Sequence, residues 1–459
     1  MRKACTGIHT LRIRTNGRFA GVLAAAFLTA ALPVAAQEPG PGVPTIQVDV
    51  QQVVVPVVVT DKKGHHAAGL KASDFRIFED GVQQEIVAFG TETFGMTSDP
   101  ETLSAGAGPQ TAANGASKPP GRTYILCFDT LHSTFANFGH VRDALESLFR
   151  KERDTGAQFV LVDLGRQLRV IQTATPDPAK ILAKIQSSTF ASVFHGSDAQ
   201  AMAIEVNNMR LRMEQFCRKC PCGPSARSAT CYPERQDLRQ EVNARAEQTA
   251  VMTHQFLQSL KGLLVELGRV PTDRTLLLIS DGFSLQPGEE FYSVAGAYLP
   301  NYSEFKFPTT ERMEPALLDA LDVAVKRNIR IHSIDSRGLS VPGFSGGGSS
   351  DASNSGSGGS SARNRGGSML SELDRRQASV EFQNGSGLSQ LAAATGGIYF
   401  HQNNDMLKNL RTAIVDGREY YVLVYVPKRV ERDGALRKIS VTVSDKSVSV
   451  RTREGYRAR

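Results

Sequence analysis

YILCFDTLHST, residues 124–134, sets an unbroken apolar run against an aspartate and a cluster of hydroxyl and imidazole side chains. A run with no polar alternation is the signature of a strand buried on both faces. Asp129 therefore stands where a central strand surfaces, and Thr130, His132, Ser133 and Thr134 follow at the turn. Behind them FGHVRDALESLFRK places Val141, Leu145, Leu148 and Phe149 at helical spacing. Three chemistries suit such a place: a metal site, a catalytic nucleophile, or an acid that caps the helix.

Working outward, the same pattern recurs. AQFVLVDLG, LRVIQTAT, RTLLLISDG and IRIHSIDS read as strands, while DPAKILAKIQS, opened by Asp177 and Pro178, and PALLDALDVAVKRN read as helices. Strands alternating with helices predict an α/β fold with a doubly wound, mostly parallel, Rossmann-like sheet. Antiparallel β segments flank it. On the N-terminal side IQVDVQQVVVPVVVTD is rich in β-branched residues, and Asp80-Gly81 supplies a hairpin turn within DFRIFEDGVQQEIVAF. Pro56 demotes part of the first of these strands to an edge or a bulge. On the C-terminal side EYYVLVYVP, LRKISVTVS and VSVRTREGY read as three strands. A lone three-stranded sheet is marginal, which favours joining the two β segments.

The boundaries follow from composition. Residues 1–36 hold five basic residues, no acidic ones and the run AGVLAAAFLTAALPVAA before Gln37, an export signal with a small-residue processing site. The remainder divides into a β segment at 45–95, an Ala/Gly/Ser/Pro-rich linker at 96–121, an α/β domain at 122–416 and a β segment at 417–459. The α/β domain carries a helical insertion at 198–268 and a Gly/Ser-rich one at 338–368. Removing five basic residues from a formal charge of +7 leaves +2. Without a basic patch interleaved with aromatics, nucleic acid is not the expected partner, and no later stretch is long enough for a membrane helix. Once processed, the chain is expected to be secreted or periplasmic.

Cysteine usage agrees with export. Cys127 lies inside the apolar strand as a buried thiol, and Cys217, Cys220, Cys222 and Cys231 share one patch. Disulfides are the expectation for these four in an oxidising compartment. Zinc is the alternative, disfavoured because a single proline separates Cys220 from Cys222. Few apolar residues surround the patch, so the bridges are expected to hold the insertion together, with connectivity left open.

Ligands of doubly wound sheets sit beyond the carboxyl ends of the strands, where Asp129 and Asp281 are expected to meet, with Asp335 on the same edge. Here residues 121–415 resemble a von Willebrand factor type A domain. The metal-ion-dependent adhesion site of that family has an Asp-x-Ser-x-Ser turn, a distant Thr and a later strand-end Asp. Asp129 and Ser133 match the ends of the turn, Asp281 matches the later Asp, Leu131 replaces the middle serine, and Thr189 is the candidate distant Thr. The resemblance thus implies a divalent cation, Mg or Mn, held by Asp129, Ser133, Asp281 and Thr189. The flanks, including VVVTDKKGHHAAGLKASDFRIFEDGVQQEI, LAAATGGIYF and GYRAR, resemble exported von Willebrand factor A related proteins of acidobacteria.

The expected function is a non-enzymatic module that binds a protein or cell-envelope ligand, with possible cation assistance through the degenerate turn. The alternative is a structural or assembly component of the envelope without metal-dependent binding. A phosphoryl-transfer enzyme resembling haloacid dehalogenases would need an acid/base two residues after Asp129, where Leu131 stands. GFSGG around Ser345 imitates a hydrolase elbow but lacks the preceding apolar strand.

Overall fold

The computed structural model of the protein describes residues 52–91, 122–151, 157–194, 198–223, 231–270, 273–308, 313–339, 384–416 and 420–458. The expected export signal, the expected linker and residues 340–368 of the expected Gly/Ser insertion lie outside them. Four strands come first: β1 (Val53–Thr60), β2 (Phe75–Glu79), β3 (Val82–Gln84) and β4 (Ile86–Thr91). Asp80 (φ 48°) and Gly81 (φ 81°) turn β2 into β3, with Glu79 opposite Val82. Two consecutive left-handed residues give the twist that a two-residue hairpin needs.

The α/β core follows. β5 (Thr123–Asp129), β6 (Gln158–Leu164), β7 (Leu168–Thr175), β8 (Arg274–Ser280), β9 (Arg330–Asp335) and β10 (Tyr399–Phe400) form one sheet in the order β10-β9-β8-β5-β6-β7. All neighbours are parallel except β6 and β7. Sequential strands grow outward in both directions from β5, which is the doubly wound order. The sheet is therefore mixed, because the short turn after Leu164 cannot make the crossover that a parallel neighbour requires.

Helices cover both faces. α1 (Phe135–Lys151), α2 (Pro178–Ile185) and α9 (Met406–Asp416) bury Val141, Leu145, Ile181, Leu410 and Ile414 on one side. α5 (Tyr232–Leu267), α7 (Glu314–Lys326) and α8 (Ser386–Thr395) bury Leu260, Leu264, Leu317 and Leu391 on the other. Each such side chain contributes about 1.5–3 kcal/mol when fully buried. α3 (Ser188–Ala191), α4 (Asp198–Lys219) and α6 (Glu289–Tyr298) complete the described helices.

α5 has 36 residues, about 54 Å of helix. Its C-terminal third packs on the sheet, and Phe256 touches the ring of His132 at the carboxyl rim. The preceding turns run past that rim beside α4 and α6. They share an apolar cluster with Met209, Met213, Phe216, Leu238, Val242, Phe291 and Tyr298. The hairpin is thus not poor in apolar contacts, as its sequence suggests. Spacing along two separate helices, plus FYSVAGAY more than forty residues downstream, conceals a core that exists only when the three meet. Cys217 pairs with Cys222 and Cys220 with Cys231 at the tip of the hairpin.

The last strands are β11 (Tyr421–Tyr425), β12 (Leu436–Val443), β13 (Ser449–Thr452) and β14 (Gly455–Arg457). They do not form a separate C-terminal unit. β11 inserts between β1 and β4, and β12 pairs with β2, giving two four-stranded sheets ordered β13-β1-β11-β4 and β14-β12-β2-β3. Val55, Val57, Ile77, Leu423 and Ile439 fill the space between the sheets. β1 is an inner strand in the sheet order, whereas Val53–Pro56 has only β11 beside it, the partial edge expected from Pro56. β13 pairs only with Val57–Thr60, so the missing N–H of Pro56 falls where that ladder has ended, and the Thr452 hydroxyl donates to the Pro56 carbonyl instead.

This sandwich covers the amino edge of the core. Pro56 and Tyr420 line a small cavity with Arg274 and Arg330 at the starts of β8 and β9. The carboxyl edge stays on the opposite side, beside the α4–α5 hairpin.

Candidate functional site at the carboxyl rim

Four neighbouring parallel strands each bring one acid to this rim: Asp163 of β6, Asp129 of β5, Asp281 just beyond β8 and Asp335 of β9. Asp129 and Asp281 meet as expected. The Ser280 hydroxyl donates to Asp129 Oδ2 (2.6 Å), and the Asp281 N–H donates to Ser133 Oγ (3.2 Å). Both carboxyls are buried, Asp129 at 0% and Asp281 at 8% exposure.

Burial on that scale requires partners, and each acid has them. Asp129 Oδ1 accepts from the N–H groups of Leu131 (3.1 Å) and His132 (3.0 Å), the local pattern of an acid that organises the turn after its strand. His132 Nδ1 lies 3.1 Å from Oδ1 and 2.9 Å from Oδ2. Asp163 Oδ1 accepts from Thr130 Oγ1 at 2.5 Å, and its Oδ2 is held by Arg169. Arg337 clasps Asp335 through Nε (2.9 Å) and Nη2 (2.7 Å).

Asp281 differs, because neutral groups supply its direct partners. Its Oδ2 accepts from the Thr134 N–H (2.9 Å) and hydroxyl (3.1 Å) and from Asn137 Nδ2 (2.7 Å), while Oδ1 accepts from Ser336 Oγ (2.5 Å). Burial pushes its carboxyl above the usual range, and these hydrogen bonds oppose the shift without cancelling it. Gly282 is required beside it. Its φ is +93°, and a Cβ there would lie 2.5 Å from the Asn384 carbonyl oxygen.

The remaining expected ligand does not join the group. Thr189 is exposed on α3, where Ser187 caps the helix and Phe190 turns into the core, so its neighbour faces outward. The hydroxyls that do reach the rim carboxylates belong to Thr130, Thr134, Ser280, Ser336 and Tyr399. Ser280 and Ser336 directly adjoin strand-end acids in ISDG and IDS, a signal that a search for one distant Thr passes over. Leu131 is 2% exposed and packs in the cluster that holds Phe256 and Phe283.

A hard divalent ion needs several oxygens free to turn toward it. The fit is poor here. Five polar contacts crowd the two Asp129 oxygens, the middle turn position points an isobutyl group into the core, and Ser133 Oγ accepts the Asp281 N–H. Among the described residues no group of three or more His, Cys, Asp or Glu side chains is arranged to hold a metal.

No family model and no curated protein matches the chain. Solved structures similar to it include an aerotolerance-related membrane protein from Bacteroides fragilis, 11% identical with a TM-score of 0.26, covering 64% of this chain and 98% of that one. The PilB minor pilin from Streptococcus sanguinis is 10% identical with a TM-score of 0.27, covering 80% and 87%. The vWF domain of the type V pili tip protein Mfa5 from Porphyromonas gingivalis is 10% identical with a TM-score of 0.22, covering 47% and 80%. Likenesses this distant assign no ligand and no activity. The strand order of the α/β core is doubly wound, and the acids that end β5 and follow β8 meet at one rim, the architecture that the von Willebrand factor A resemblance implies.

Proposed function

We propose that the protein is an exported, non-enzymatic module that binds another protein through its carboxyl rim and the helical hairpin beside it. The observation that carries this reading is the state of the rim acids. All four are engaged by groups of the chain itself, so none is poised as a nucleophile or as an acid/base. Phosphoryl transfer through Asp129 would need a second acid where Leu131 is buried. A braced rim with satisfied polar groups is suited to recognition, because a preorganised surface loses little entropy when it docks. The sandwich occupies the opposite edge, which leaves the rim and the hairpin as the functional face.

Export is supported by the two disulfides, which form and persist in oxidising compartments, and by the basic-then-apolar start of the sequence. Among the described residues no helix is long and apolar enough to cross a membrane. The structural-component alternative predicts contact through any surface, whereas this reading predicts contact through one.

A photo-crosslinking amino acid placed at exposed His401 on the rim, at Leu211 on α4, or at exposed Lys62 in the sandwich turn separates them. In envelope extract, adducts are expected from positions 401 and 211 and not from 62, with the same yield in chelator. Adducts from position 62 alone, or hydrolysis of a phosphate ester lost in Asp129→Asn, would contradict the proposal.

A further inference from the structure

The rim does the work of a metal site with groups of its own. In the resembling domains a cation is expected to tie the turn after the first strand to the acid beyond the fourth. In this chain the same two segments are tied by direct contacts: Ser280 to Asp129, and Asp281 to Ser133. What remains is the charge of the first acid. The His132 ring covers both of its oxygens through Nδ1, at 3.1 and 2.9 Å. The ring cannot simply drift away. It is packed edge-on against Phe256 at 4.9 Å between centroids and lies 5.8 Å from Phe283, and its side chain is only 17% exposed.

We infer that His132 occupies the place on Asp129 that a divalent ion would take, so that the rim is closed to metal and assembled without it. An Nδ1–H donor is available in the neutral tautomer and in the cation alike, so the contact needs no particular protonation state. Leu131 reinforces the closure, because its inward side chain removes an oxygen that an ion would need and anchors the turn in the core. The neighbouring acids follow the same logic, Asp163 with Arg169 and Asp335 with Arg337. Asp163 and Asp335 thus each have a guanidinium partner from this chain, which lowers the electrostatic demand that a cation would meet, while the His132 ring occupies the oxygens of Asp129.

The inference refines the proposed binding face but can fail separately from it, since a rim that takes a metal can still bind a protein. The test is titration of the purified full chain with Mn2+, read as loss of the free-ion signal in electron paramagnetic resonance. The wild type is expected to leave that signal unchanged. His132→Ala uncovers the Asp129 oxygens without touching the Leu131 packing. It should take up Mn2+, seen as loss of the free-ion signal at concentrations where the wild type leaves that signal unchanged. The gain should vanish in Asp129→Asn/His132→Ala. Asp129-dependent Mn2+ binding by the wild type would overturn the inference, as would a folded His132→Ala chain that binds none. If His132→Ala does not fold, the ring nitrogen resonances of His132 in the wild type decide. They should not move on adding Mg2+, and a shift would overturn the inference.

Discussion

Asp281 shows how a single residue can be indispensable to a site without being its reactive group. Its carboxyl collects donors from the turn after β5, from α1 and from the end of β9, so it joins three segments that are far apart in sequence. Asp281→Ala would leave buried donors unmatched and should cost about 2–4 kcal/mol in chemical denaturation. Asp281→Asn should cost under about half of that, because the Ser336 hydroxyl can reverse and accept from the new amide. Glu290 tests the electrostatics of the same neighbourhood. Burial raises its carboxyl to about 7, with Glu289 adding to the shift and His132 opposing it. A folded value above the unfolded one means that the folded state holds the proton more tightly. Its contribution is therefore fully present below about 4.5 and is lost as the pH rises through about 7. Replacing it by Gln should make the melting temperature fall less between pH 5 and pH 8 than it does in the wild type. An identical pH profile would refute the assignment. Of the rim residues, Asp129, Ser133 and Asp281 were legible because strand-end acids and hydroxyl-rich turns are local patterns. Ser280, Ser336 and Asn137 were not, because their role depends on which segment ends up opposite them.

At the scale of elements, the apolar strands were easy to read and the sandwich was not. A strand buried on both faces announces itself in a run such as LLLIS, whatever its neighbours are. β11 reads just as clearly as a strand, but nothing in EYYVLVYVP says that it will lie between β1 and β4. VSVRTREGY likewise reads as one strand. It divides into β13 and β14, which belong to different sheets. The hairpin carries the clearest element-level prediction. Cys220–Cys231 closes the longer of its two loops, and removing the bridge as Cys220→Ser/Cys231→Ser should cost about 2–3 kcal/mol. Faster hydrogen exchange should follow in α4 and the N-terminal half of α5, while β5 and β8 keep their protection. Equal loss of protection in the central sheet would show that the hairpin is not a separate cooperative unit.

For the whole molecule, the decisive arrangement is that the sandwich and the rim lie at opposite edges of one sheet. Asp416 at the end of α9 fastens the two parts. It pairs with Arg451 of β13 and lies 3.7 Å from Arg330 and 3.5 Å from His332 of β9. Burial, with Arg330 and Arg451 nearby, pushes His332 well below its ordinary value and keeps it neutral. Arg453 and Arg457 add contacts to α7, to the Val325 carbonyl and to Asp322 respectively. Asp416→Ala would leave buried arginines uncompensated and should destabilise the chain by about 3–5 kcal/mol. The amino edge is covered in this way, the proposed binding face is the carboxyl rim, and the central claim is that this rim is assembled without a metal. The most direct measurement is the melting temperature of the chelator-treated chain before and after Mg2+ or Mn2+ is added. The account predicts the same temperature in both. A rise that disappears in Asp129→Asn would contradict it.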